Sequence, residues 1–333
     1  MTQTIASSHA MTFLNRLTHL FERIDLRPTA RGILAPLLAI GIFLVLWSVG
    51  ARQVHTSLGV LPGPVQVWEQ SVALWQEHRA ERDREQAFYE RLQKRIEKTQ
   101  SPERVERLRK LAYSGRATFI DQMFTSLKTV ATGFLLASLI AIPFGIVIGL
   151  NPTLHRAFNP LIQLFKPVSP LAWLPLVTMI VSALYVSKDP VFSKAYVTSA
   201  ITVTLCCLWP TLINTAVGVS GVSQDLLNVS RVLRLGWFTK TWKIVLPSAI
   251  PMIFTGLRLS LGIGWMVLIA AEMLAQNPGL GKFVWDEFQN GSSDSLARIM
   301  VAVVAIGFIG LLLDRGMLGL QKTVDWDKQA VLR

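Results

Sequence analysis

Several stretches of about twenty apolar residues run through this chain, and they constrain its fold more than any other feature. A helix of that length and composition spans the hydrocarbon core of a bilayer, where backbone groups must be paired within the segment itself. Of the 333 residues, 51% are hydrophobic, and the mean hydropathy is +0.42, which is too apolar for a soluble domain of ordinary surface. The sequence therefore predicts an all-α polytopic membrane protein.

Six membrane spans are predicted from apolar length, and they divide the chain. The six ranges are 33–50, 125–150, 161–185, 195–217, 250–275 and 296–318. The predicted division is a cytoplasmic N-terminus (1–31), a first transmembrane helix (32–51), an extracytoplasmic loop (52–120), a five-helix core (121–320) that includes a loop at 224–248, and a cytoplasmic tail (321–333).

Basic residues near the two ends of the chain predict the orientation of these spans. Arg23, Arg27 and Arg31 precede the first span, and Lys322 and Lys328 follow the last one. Because cytoplasmic segments carry an excess of lysine and arginine, both termini are expected in the cytoplasm. No convincing cleavage site follows the first span, so it is interpreted as a retained helix and not as a signal peptide.

The segment before the first span has an amphipathic pattern. Leu14, Leu17, Phe21 and Ile24 share one helical face, while basic residues occupy the rest of the segment. This pattern predicts an interfacial helix that lies on the membrane surface ahead of the first span. A disordered amphipathic tail is the alternative interpretation.

Several classes of function are excluded by composition and spacing. Cys206 and Cys207 are adjacent within an apolar run, so no disulfide framework exists, and the five histidines are too scattered to form a metal site. The formal net charge of +12 resides in loops between spans and does not indicate nucleic-acid binding. No phosphate-binding loop is found, since Gly281-Lys282 lacks the upstream glycine and is followed by Phe283. The chain is therefore expected to bind no cofactor, and any ATP hydrolysis must occur in another chain.

A strongly charged insert, residues 77–116, follows the first span. It holds twelve Lys/Arg and eight Asp/Glu, and Phe88, Leu92 and Ile96 are spaced four apart. Ser101-Pro102 fits an N-cap followed by a first-turn proline, so the insert is predicted to be a helical hairpin. Span counting places it outside the cytoplasm. It is either a docking surface for a soluble receptor or a solvated decoration.

The loop at 224–248 carries more apolar side chains than a connection between two spans requires. Leu226, Val229 and Leu233 fall at positions i, i+3 and i+7, and Val232 and Leu235 widen this stripe. The pattern describes a helix with one apolar face. At a membrane surface such a helix either lies on lipid or docks into a groove on a soluble partner.

This loop resembles the cytoplasmic coupling loop of binding-protein-dependent ATP-binding-cassette importers, whose signature reads Glu-Ala-Ala-x3-Gly-x9-Ile-x-Leu-Pro. Residues 244–247 match the end of the signature. In that alignment the Glu-Ala-Ala of the signature falls at residues 228–230 and its glycine at Arg234, and this chain departs from the signature at all four positions. The nearest glycine of this chain is Gly236, two residues later. The resemblance implies a coupling helix, a turn near Gly236 and a second short helix.

Three prolines interrupt the predicted third span. Pro167, Pro170 and Pro175 lie within ten residues, which cannot form a regular helix. Broken helices at membrane depth are tolerated mainly where they line a cavity or pack inside the protein. The break therefore either lines a transport pathway or is a kink in the packing.

The fifth predicted span has two distinct faces. Gly256, Ser260 and Gly264 are spaced four apart and form a small-residue stripe that lets another helix approach closely. On another face, Arg258 and Glu272 are separated by fourteen residues, or about 21 Å of helix, so they cannot neutralise each other. A charge in a span costs roughly 2.5–3.5 kcal/mol and needs a partner or water.

Further stretches resemble the nitrate, sulfonate, taurine and bicarbonate branch of these importer permeases. They are PVSPLAWLPL at 167–176, TGLRLSLGIGW at 255–265 and AAEML at 270–274. Residues 208–219 and 228–235 are more similar to the nitrate-type permeases than to the sulfonate-type ones.

This resemblance implies the type I importer permease fold, a second and identical permease chain, two cytoplasmic ATPase subunits and an extracytoplasmic substrate-binding protein. The bacterial inner membrane is the expected location. The expected substrate is a small inorganic oxyanion, with nitrate first and nitrite or cyanate next. Bicarbonate or an alkanesulfonate such as taurine is the alternative, and a passive anion channel is a third possibility. A membrane enzyme is not expected, because no paired carboxylates or activated nucleophile lie at membrane depth.

The resemblance and the patterns together give two sets of predicted site residues. The residues predicted to couple to the ATPase are Asp225, Leu226, Asn228, Val229, Arg231, Val232, Leu233, Arg234, Gly236, Ile244, Leu246 and Pro247. The residues predicted to line the anion pathway are Lys128, Pro170, Trp173, Pro175, Arg258, Gly262, Trp265 and Glu272. For Arg258 an internal salt bridge is the alternative, and for Glu272 structural pairing is favoured.

Overall fold

The computed structural model describes residues 28–56, 59–186, 191–292 and 294–324 of the chain. The predicted interfacial helix at 11–24 lies outside these residues, as does the end of the predicted tail, 325–333. The chain divides into two compact units, 1–65 and 66–333, which are described separately.

The first unit contains a long apolar helix, α1, which spans Pro28–Ala51. Its segment from Leu34 to Ala51 is long and apolar enough to cross a membrane, as predicted for the first span. Most of its large side chains are exposed, as is typical of a helix surrounded by lipid. Two short strands, β1 (His55–Thr56) and β2 (Gly59–Val60), pair antiparallel after it.

Helices make up the second unit, and α2 begins just before it. The bounds are α2 Pro64–Lys98, α3 Pro102–Arg109, α4 Phe119–Leu150, α5 Pro152–Phe165, α6 Pro170–Leu184, α7 Lys194–Ser220, α8 Gln224–Val232, α9 Trp237–Lys240, a π-helix Thr241–Val245, α10 Leu246–Ala275, α11 Leu280–Asn290 and α12 Ser295–Val324.

Five helical segments of the described residues are long and apolar enough to cross a membrane, and a sixth is added if the bent pair α5–α6 is one span. The predicted all-helical fold with about six spans is confirmed. The break predicted within the third span is found, but the bounds differ from 161–185, because α5 begins at Pro152 and the chain bends by 96° before α6 begins at Pro170. Pro167 and Pro170 lack the N–H that would continue the α5 ladder, and their rings crowd the preceding turn.

The charged insert is an unequal hairpin. Its first arm, α2, is 35 residues long and begins at Pro64, thirteen residues before the insert. The N-cap at Ser101 and the first-turn proline are confirmed, but the second arm, α3, has only eight residues. The apolar spacing of about 3.6 residues and the capping signals both favour helices in the residues predicted for the hairpin.

Helices α4, α7 and α10 pack closely through small residues. A methyl group built on Gly133 or Gly145 of α4 would lie 2.8–2.9 Å from backbone carbonyl oxygens of α7. On α10, a methyl group on Gly256 would lie 3.0 Å from the Pro210 carbonyl oxygen of α7. The predicted small-residue stripe is thus confirmed as the surface on which α7 approaches α10.

Hydroxyl groups reinforce the same contact between α7 and α10. The Ser260 hydroxyl donates to the Cys207 carbonyl oxygen at 2.6 Å and lies 2.7 Å from the Thr211 hydroxyl. All three residues are fully buried. Since lipid offers no competing water, such bonds between helices fix their register as well as their distance.

A π-helix joins α9 to α10, where the sequence predicted a separate second short helix. The Leu246 N–H donates to the Thr241 carbonyl oxygen, five residues back, and the helical path from Trp237 to Ala275 is continuous. Pro247 explains the wider turn, since its ring would otherwise crowd the carbonyl group of Lys243. In the same turn, the Ser248 hydroxyl donates to the Ile244 carbonyl oxygen at 2.8 Å, so this carbonyl group has a hydrogen-bond partner.

Replacing Gly256 by alanine should destabilise the purified protein by about 1–3 kcal/mol, because the added methyl group meets backbone atoms of α7 that cannot move aside. Gly307→Ala is the matched control, since nothing lies within 4 Å of its added methyl group and alanine favours the helix. Thermal unfolding in detergent measures both. A Gly256→Ala protein as stable as Gly307→Ala would contradict the close packing.

Candidate functional site

Helix α8 lies in the connection between α7 and α10 and is capped at both ends. The Ser223 hydroxyl accepts a hydrogen bond from the Leu226 N–H, and Asp225 occupies the first turn, where its charge favours the helix dipole. Arg231 lies in the last turn and donates to the Asn228 side-chain oxygen at 3.0 Å. The helix ends at Val232, so Leu233 is a cap and Leu235 lies beyond it, contrary to the longer predicted stripe.

The turn after α8 is built at Arg234 and not at Gly236. Arg234 has φ 48°, in the left-handed region, whereas Gly236 has φ −63° and needs no special freedom. The Leu235 N–H donates to the Ser230 carbonyl oxygen, and the Arg234 N–H donates to the Arg231 carbonyl oxygen, each at 3.0 Å. This pair of bonds is the Schellman arrangement, which normally places glycine at the left-handed position. Arg234 is the position that the importer signature assigns to glycine.

The apolar side chains predicted along α8 face away from the chain. Leu226 is 42% exposed, Val229 50%, Val232 81% and Leu233 62%. The opposite side of the helix faces inward, where Ser230 is buried and Leu227 packs against a cluster that contains Val219, Val222 and Val245. Helix α8 therefore offers an apolar surface that its own chain leaves uncovered.

Aromatic residues of the next segment extend this surface, and the sequence analysis missed them. Trp237 and Phe238 are exposed and lie edge to face with their ring centroids 4.9 Å apart, and Trp242 is 74% exposed. Three aromatic side chains within six residues of a polar loop were the available signal. We call the exposed residues Leu226, Val229, Val232, Leu233, Trp237, Phe238 and Trp242 the loop surface.

The charged insert and the loop surface lie at opposite ends of α10. The loop surface adjoins the start of α10, while Glu77 of the insert pairs with Arg298, which follows the end of α10, and α10 is about 45 Å long. Arg298 pairs with Glu77 of α2 and, at 3.0 Å, with Glu287 of α11. The two surfaces therefore lie at opposite ends of a helix that is long and apolar enough to cross a membrane.

A second polar contact fixes the two arms of the insert. The Tyr113 hydroxyl donates to a Glu81 carboxylate oxygen at 2.7 Å, and Arg84 lies 3.2 Å from the other oxygen. The bond from Tyr113 holds the pKa of Glu81 below its usual value, and the neighbouring carboxylate raises the pKa of Tyr113. The hairpin is thus stabilised by a charge-assisted bond between α2 and the segment after α3.

Arg258 pairs with Asp314, a partner that the sequence analysis missed. Its guanidinium donates to both carboxylate oxygens of Asp314, at 2.5 and 2.9 Å. Gly262 and Trp265 lie beside this pair along a cavity of about 250 Å³ between α10 and α12. The internal salt bridge, one of the two interpretations of Arg258, is the arrangement found. The sequence could not select Asp314 because 56 residues separate the partners.

Glu272 is enclosed in a different place and does not share this cavity. Its side chain is fully buried, and its carboxylate accepts bonds from the Ser126 hydroxyl at 2.8 and 2.9 Å and from the Gly281 N–H at 3.0 Å. The Ser126 hydroxyl in turn accepts a bond from the Leu280 N–H at 2.8 Å. These bonds join the end of α10 to the starts of α4 and α11.

Lys128 is exposed on α4 and lies over two aromatic rings. Its ammonium group is 5.5 Å from the Phe192 ring centroid and 5.7 Å from that of Tyr196. The Tyr196 hydroxyl lies 2.6 Å from the Thr132 hydroxyl, which holds this ring on α4. The contact is a cation–π interaction, a form of pairing that leaves the positive charge available to solvent.

The proline-rich break lines a further cavity. Pro170 and Trp173 contribute to a space of about 290 Å³, which also contacts α7 and α10, whereas Pro175 is exposed and is not among its lining residues. The predicted pathway residues thus lie in four separate places: Lys128 at its aromatic rings, Arg258 with Gly262 and Trp265 at one cavity, Glu272 in its enclosed site, and the prolines with Trp173 at the break. Within a single chain the described residues do not form one channel.

Comparison with known proteins identifies the family. The profile of the binding-protein-dependent transport system inner membrane component matches residues 141–325, which is more than half of the chain. The chain belongs to this family of importer permeases. The resemblance predicted from the loop is confirmed, and the fold, the location in the inner membrane and the need for binding-protein and ATPase partners follow. As a transport permease the chain is not catalytic, and ATP hydrolysis belongs to partner subunits.

Several named permeases are similar to this one. The bicarbonate transport system permease CmpB of Synechococcus elongatus is 34% identical over 296 residues, which is 88% of this chain and 90% of the relative. The CmpB protein of Synechocystis is 40% identical over 204 residues, or 61% and 68% of the two chains. The nitrate import permease NrtB of Synechocystis is 38% identical over 203 residues, or 61% and 69%.

Solved structures support the fold of the permease alone. One inward-facing form of the MetNI methionine ABC transporter matches with a TM-score of 0.54 at 12% identity, and a second form matches with 0.52 at 13%. Each match covers 62% of this chain and 95% of the transporter chain. The shared part is the helical membrane core.

Replacing Arg234 by glycine should stabilise the permease by roughly 1 kcal/mol, because a left-handed backbone is strained for a residue with a Cβ atom. Gly236→Ala should be nearly neutral, since its backbone is extended and nothing lies within 4 Å of an added methyl group. Thermal unfolding of the two purified variants provides the comparison. Loss of stability in Gly236→Ala, with none gained in Arg234→Gly, would place the critical turn at Gly236 instead.

The single variant Asp314→Asn should be less stable than the double variant that combines Arg258→Gln with Asp314→Asn. The single change leaves a guanidinium without its carboxylate, whereas the double change removes both charges. A coupling energy of about 1 kcal/mol is expected, since both side chains are roughly two-fifths exposed. A double-mutant cycle on unfolding free energies measures this coupling, and strict additivity would mean that the bond has no net effect.

Proposed function

We propose that this permease imports a small, singly charged oxyanion, and we place nitrate first. Relatives that are named nitrate import permeases and bicarbonate permeases match at similar identity, 37–40% over about 200 residues. Nitrate and bicarbonate are both planar anions with three oxygens and one negative charge. A site that holds one of them has the size and charge to hold the other.

The observation that carries the transport mechanism is the uncovered loop surface. Leu226, Val229, Val232 and Leu233 lie exposed on one end of the helical core, on an element whose inner side is anchored by Leu227. We assign this surface to the contact with the ATPase, where an amphipathic helix enters an apolar groove. Asp225, Asn228 and Arg231 surround it with polar groups, as is common at the rim of an interface.

The remaining predicted coupling residues transmit this contact to α10. Ile244, Leu246 and Pro247 lie within the π-helix and the first turn of α10, and they connect the loop to the longest apolar span. Arg234 turns the chain after α8, and Gly236 is the N-cap of α9. Closure of the ATPase dimer would move α8 and, through the continuous helix from Trp237, tilt α10 between outward and inward openings.

The proposed orientation follows from this assignment. If the loop surface contacts the ATPase, it faces the cytoplasm, and the charged insert faces the substrate-binding protein on the other side. The two chain termini are then cytoplasmic, in agreement with the arginines and lysines near the ends. The complex would contain two copies of this permease, two ATPase subunits and one binding protein.

Bicarbonate is the second candidate substrate. A bicarbonate permease is the relative that matches over 88% of this chain, whereas the nitrate permeases match over 58–61%. A taurine permease is 31% identical over 62% of the chain, which supports an alkanesulfonate less well. The two oxyanions therefore need a direct comparison in one assay.

Replacing Leu233 by aspartate should abolish ATP-driven uptake, because a carboxylate would be desolvated in the apolar groove of the ATPase. Binding-protein docking should be unchanged, since the docking face lies at the other end of α10. The matched control is Val303→Asn, an exposed position on α12 that is remote from the loop surface. Co-purification of the ATPase and isotope uptake are measured together. Normal uptake with Leu233→Asp would contradict the coupling assignment.

The substrate is tested in a strain that lacks its own nitrate and bicarbonate importers and that carries this permease together with an ATPase and a binding protein that assemble with it. Uptake of 15N-nitrate and of 13C-bicarbonate is measured with and without a functional ATPase. ATPase-dependent nitrate uptake supports the first proposal, and uptake of bicarbonate alone supports the second. Transport of neither anion would overturn the proposed function.

A further inference from the structure

Lys166 lies at the middle of the membrane core, where a charge is unexpected. It follows the last residue of α5, at the break, and it shares a cavity with Pro210 of α7 and Ile263 of α10. Pro210 is about 15 Å and Ile263 about 18 Å from the nearer end of its helix, so both lie close to the centre of these spans. The lysine is therefore at a depth where a cation costs roughly 2.5–3.5 kcal/mol unless it has a partner.

The lysine has no acidic partner in the part of the chain that the structure describes. No carboxylate of those residues lies within 4.0 Å of its ammonium group, in contrast to Arg258, which Asp314 neutralises. Its side chain is exposed toward the cavity and the surface. Buried and membrane-depth cations without a partner mark ion pathways far more often than they mark packing.

The cavity beside Lys166 has the size for a hydrated small anion. Its volume is about 290 Å³, and one water molecule occupies about 30 Å³, so a planar four-atom anion fits with several waters. The walls are otherwise apolar or weakly polar, and they come from the break, from α7 and from α10. Among the described residues the lining contains no acidic side chain, so the cation of Lys166 attracts an anion into this space.

A second donor at this cavity lacks an acceptor. Trp209 lines the space, and its indole N–H is buried with no hydrogen-bond partner among the described residues. The ring is held in place by Phe165, which stacks on it at 5.9 Å with an interplanar angle of 8° and also contacts Trp173 at 6.0 Å. Phe165 directly precedes Lys166, so the stacking positions both donors relative to each other.

We propose that Lys166 and Trp209 form the site within the membrane that holds the planar oxyanion during its passage. The inference rests on the proposed function and names its site. The ammonium group of Lys166 supplies the positive charge. The indole N–H of Trp209 donates a hydrogen bond to an oxygen of the anion, which gives this N–H the acceptor that it lacks in the chain. Bending of the chain at the prolines keeps both groups at mid-depth, and a tilt of α10 at Ile263 opens or closes the same space.

The test uses the complete importer, with its ATPase and binding protein, reconstituted in liposomes. Nitrate quenches tryptophan fluorescence, and a bound anion gives a saturable component whereas collisions give a linear one. Lys166→Met should lose the saturable component and lower nitrate uptake by about tenfold or more, as expected for loss of a charge-assisted bond. Lys166→Arg should retain both. Competition by bicarbonate distinguishes the two anions at the same site.

Arg156→Met is the matched control, since Arg156 is a basic residue of the same helix, α5, that does not line the cavity. It should bind and transport normally. Trp209→Phe keeps an aromatic ring but removes both the N–H and the indole fluorophore, so its effect is read as nitrate uptake, which should fall even if Lys166→Met fails to fold. Unchanged saturable quenching in Lys166→Met together with unchanged uptake in Trp209→Phe overturns the site, as does lost uptake with normal binding in Lys166→Met. If the unmodified importer carries neither anion, the proposed function fails instead.

Discussion

Close contact between α4, α7 and α10 at glycines and hydroxyl groups is the constraint on which the rest of the structure depends. In lipid, apolar surface alone gives helices no reason to associate, so packing and internal hydrogen bonds must hold them. Ser260, Thr211 and Cys207 provide those bonds at the point where the glycines let the backbones approach. The loop surface, the break and the hydrogen-bonded cluster around Glu272 are all attached to this three-helix core.

Charges in the membrane segments are accommodated in three different ways. Arg258 has a carboxylate on the neighbouring helix, and Glu272 is held by a hydroxyl and a backbone N–H. Lys166 has neither arrangement among the described residues. The first two are complete within the chain, which agrees with structural roles, while the third leaves a donor for a ligand. A charged residue at membrane depth that has a partner within the chain is thus assigned a structural role, and one that has no such partner is assigned a functional role.

Apolar length was sufficient to predict the class of fold, because the thickness of the bilayer fixes the length of a spanning helix. The stripe of Gly256, Ser260 and Gly264 was also readable, since it depends only on spacing along one helix. The 96° bend was not, because three prolines forbid a regular helix without stating the direction in which the chain continues. Asp314 was missed for a related reason, since a partner on another helix leaves no mark in the local pattern.

The candidate site was predicted in parts. The periodicity of the sequence predicted the loop helix and its apolar residues. It did not show that these residues are exposed, because that depends on Leu227, which packs the opposite side of the helix against the rest of the chain. Lys166 was passed over because a lysine beside a proline-rich break has the local pattern of a span boundary. Its depth became evident only when α5 was seen to fold back along α4, with Phe158 packed against Phe144 at 5.1 Å.

The left-handed Arg234 has a consequence for how such permeases are found. The Schellman bonds are made by backbone atoms, so the turn survives with arginine at a cost of about 1–2 kcal/mol, which the surrounding helix packing tolerates. A pattern scan that demands glycine there will pass over chains of this kind. A search for the bond geometry, which does not depend on the residue at the left-handed position, would recover them.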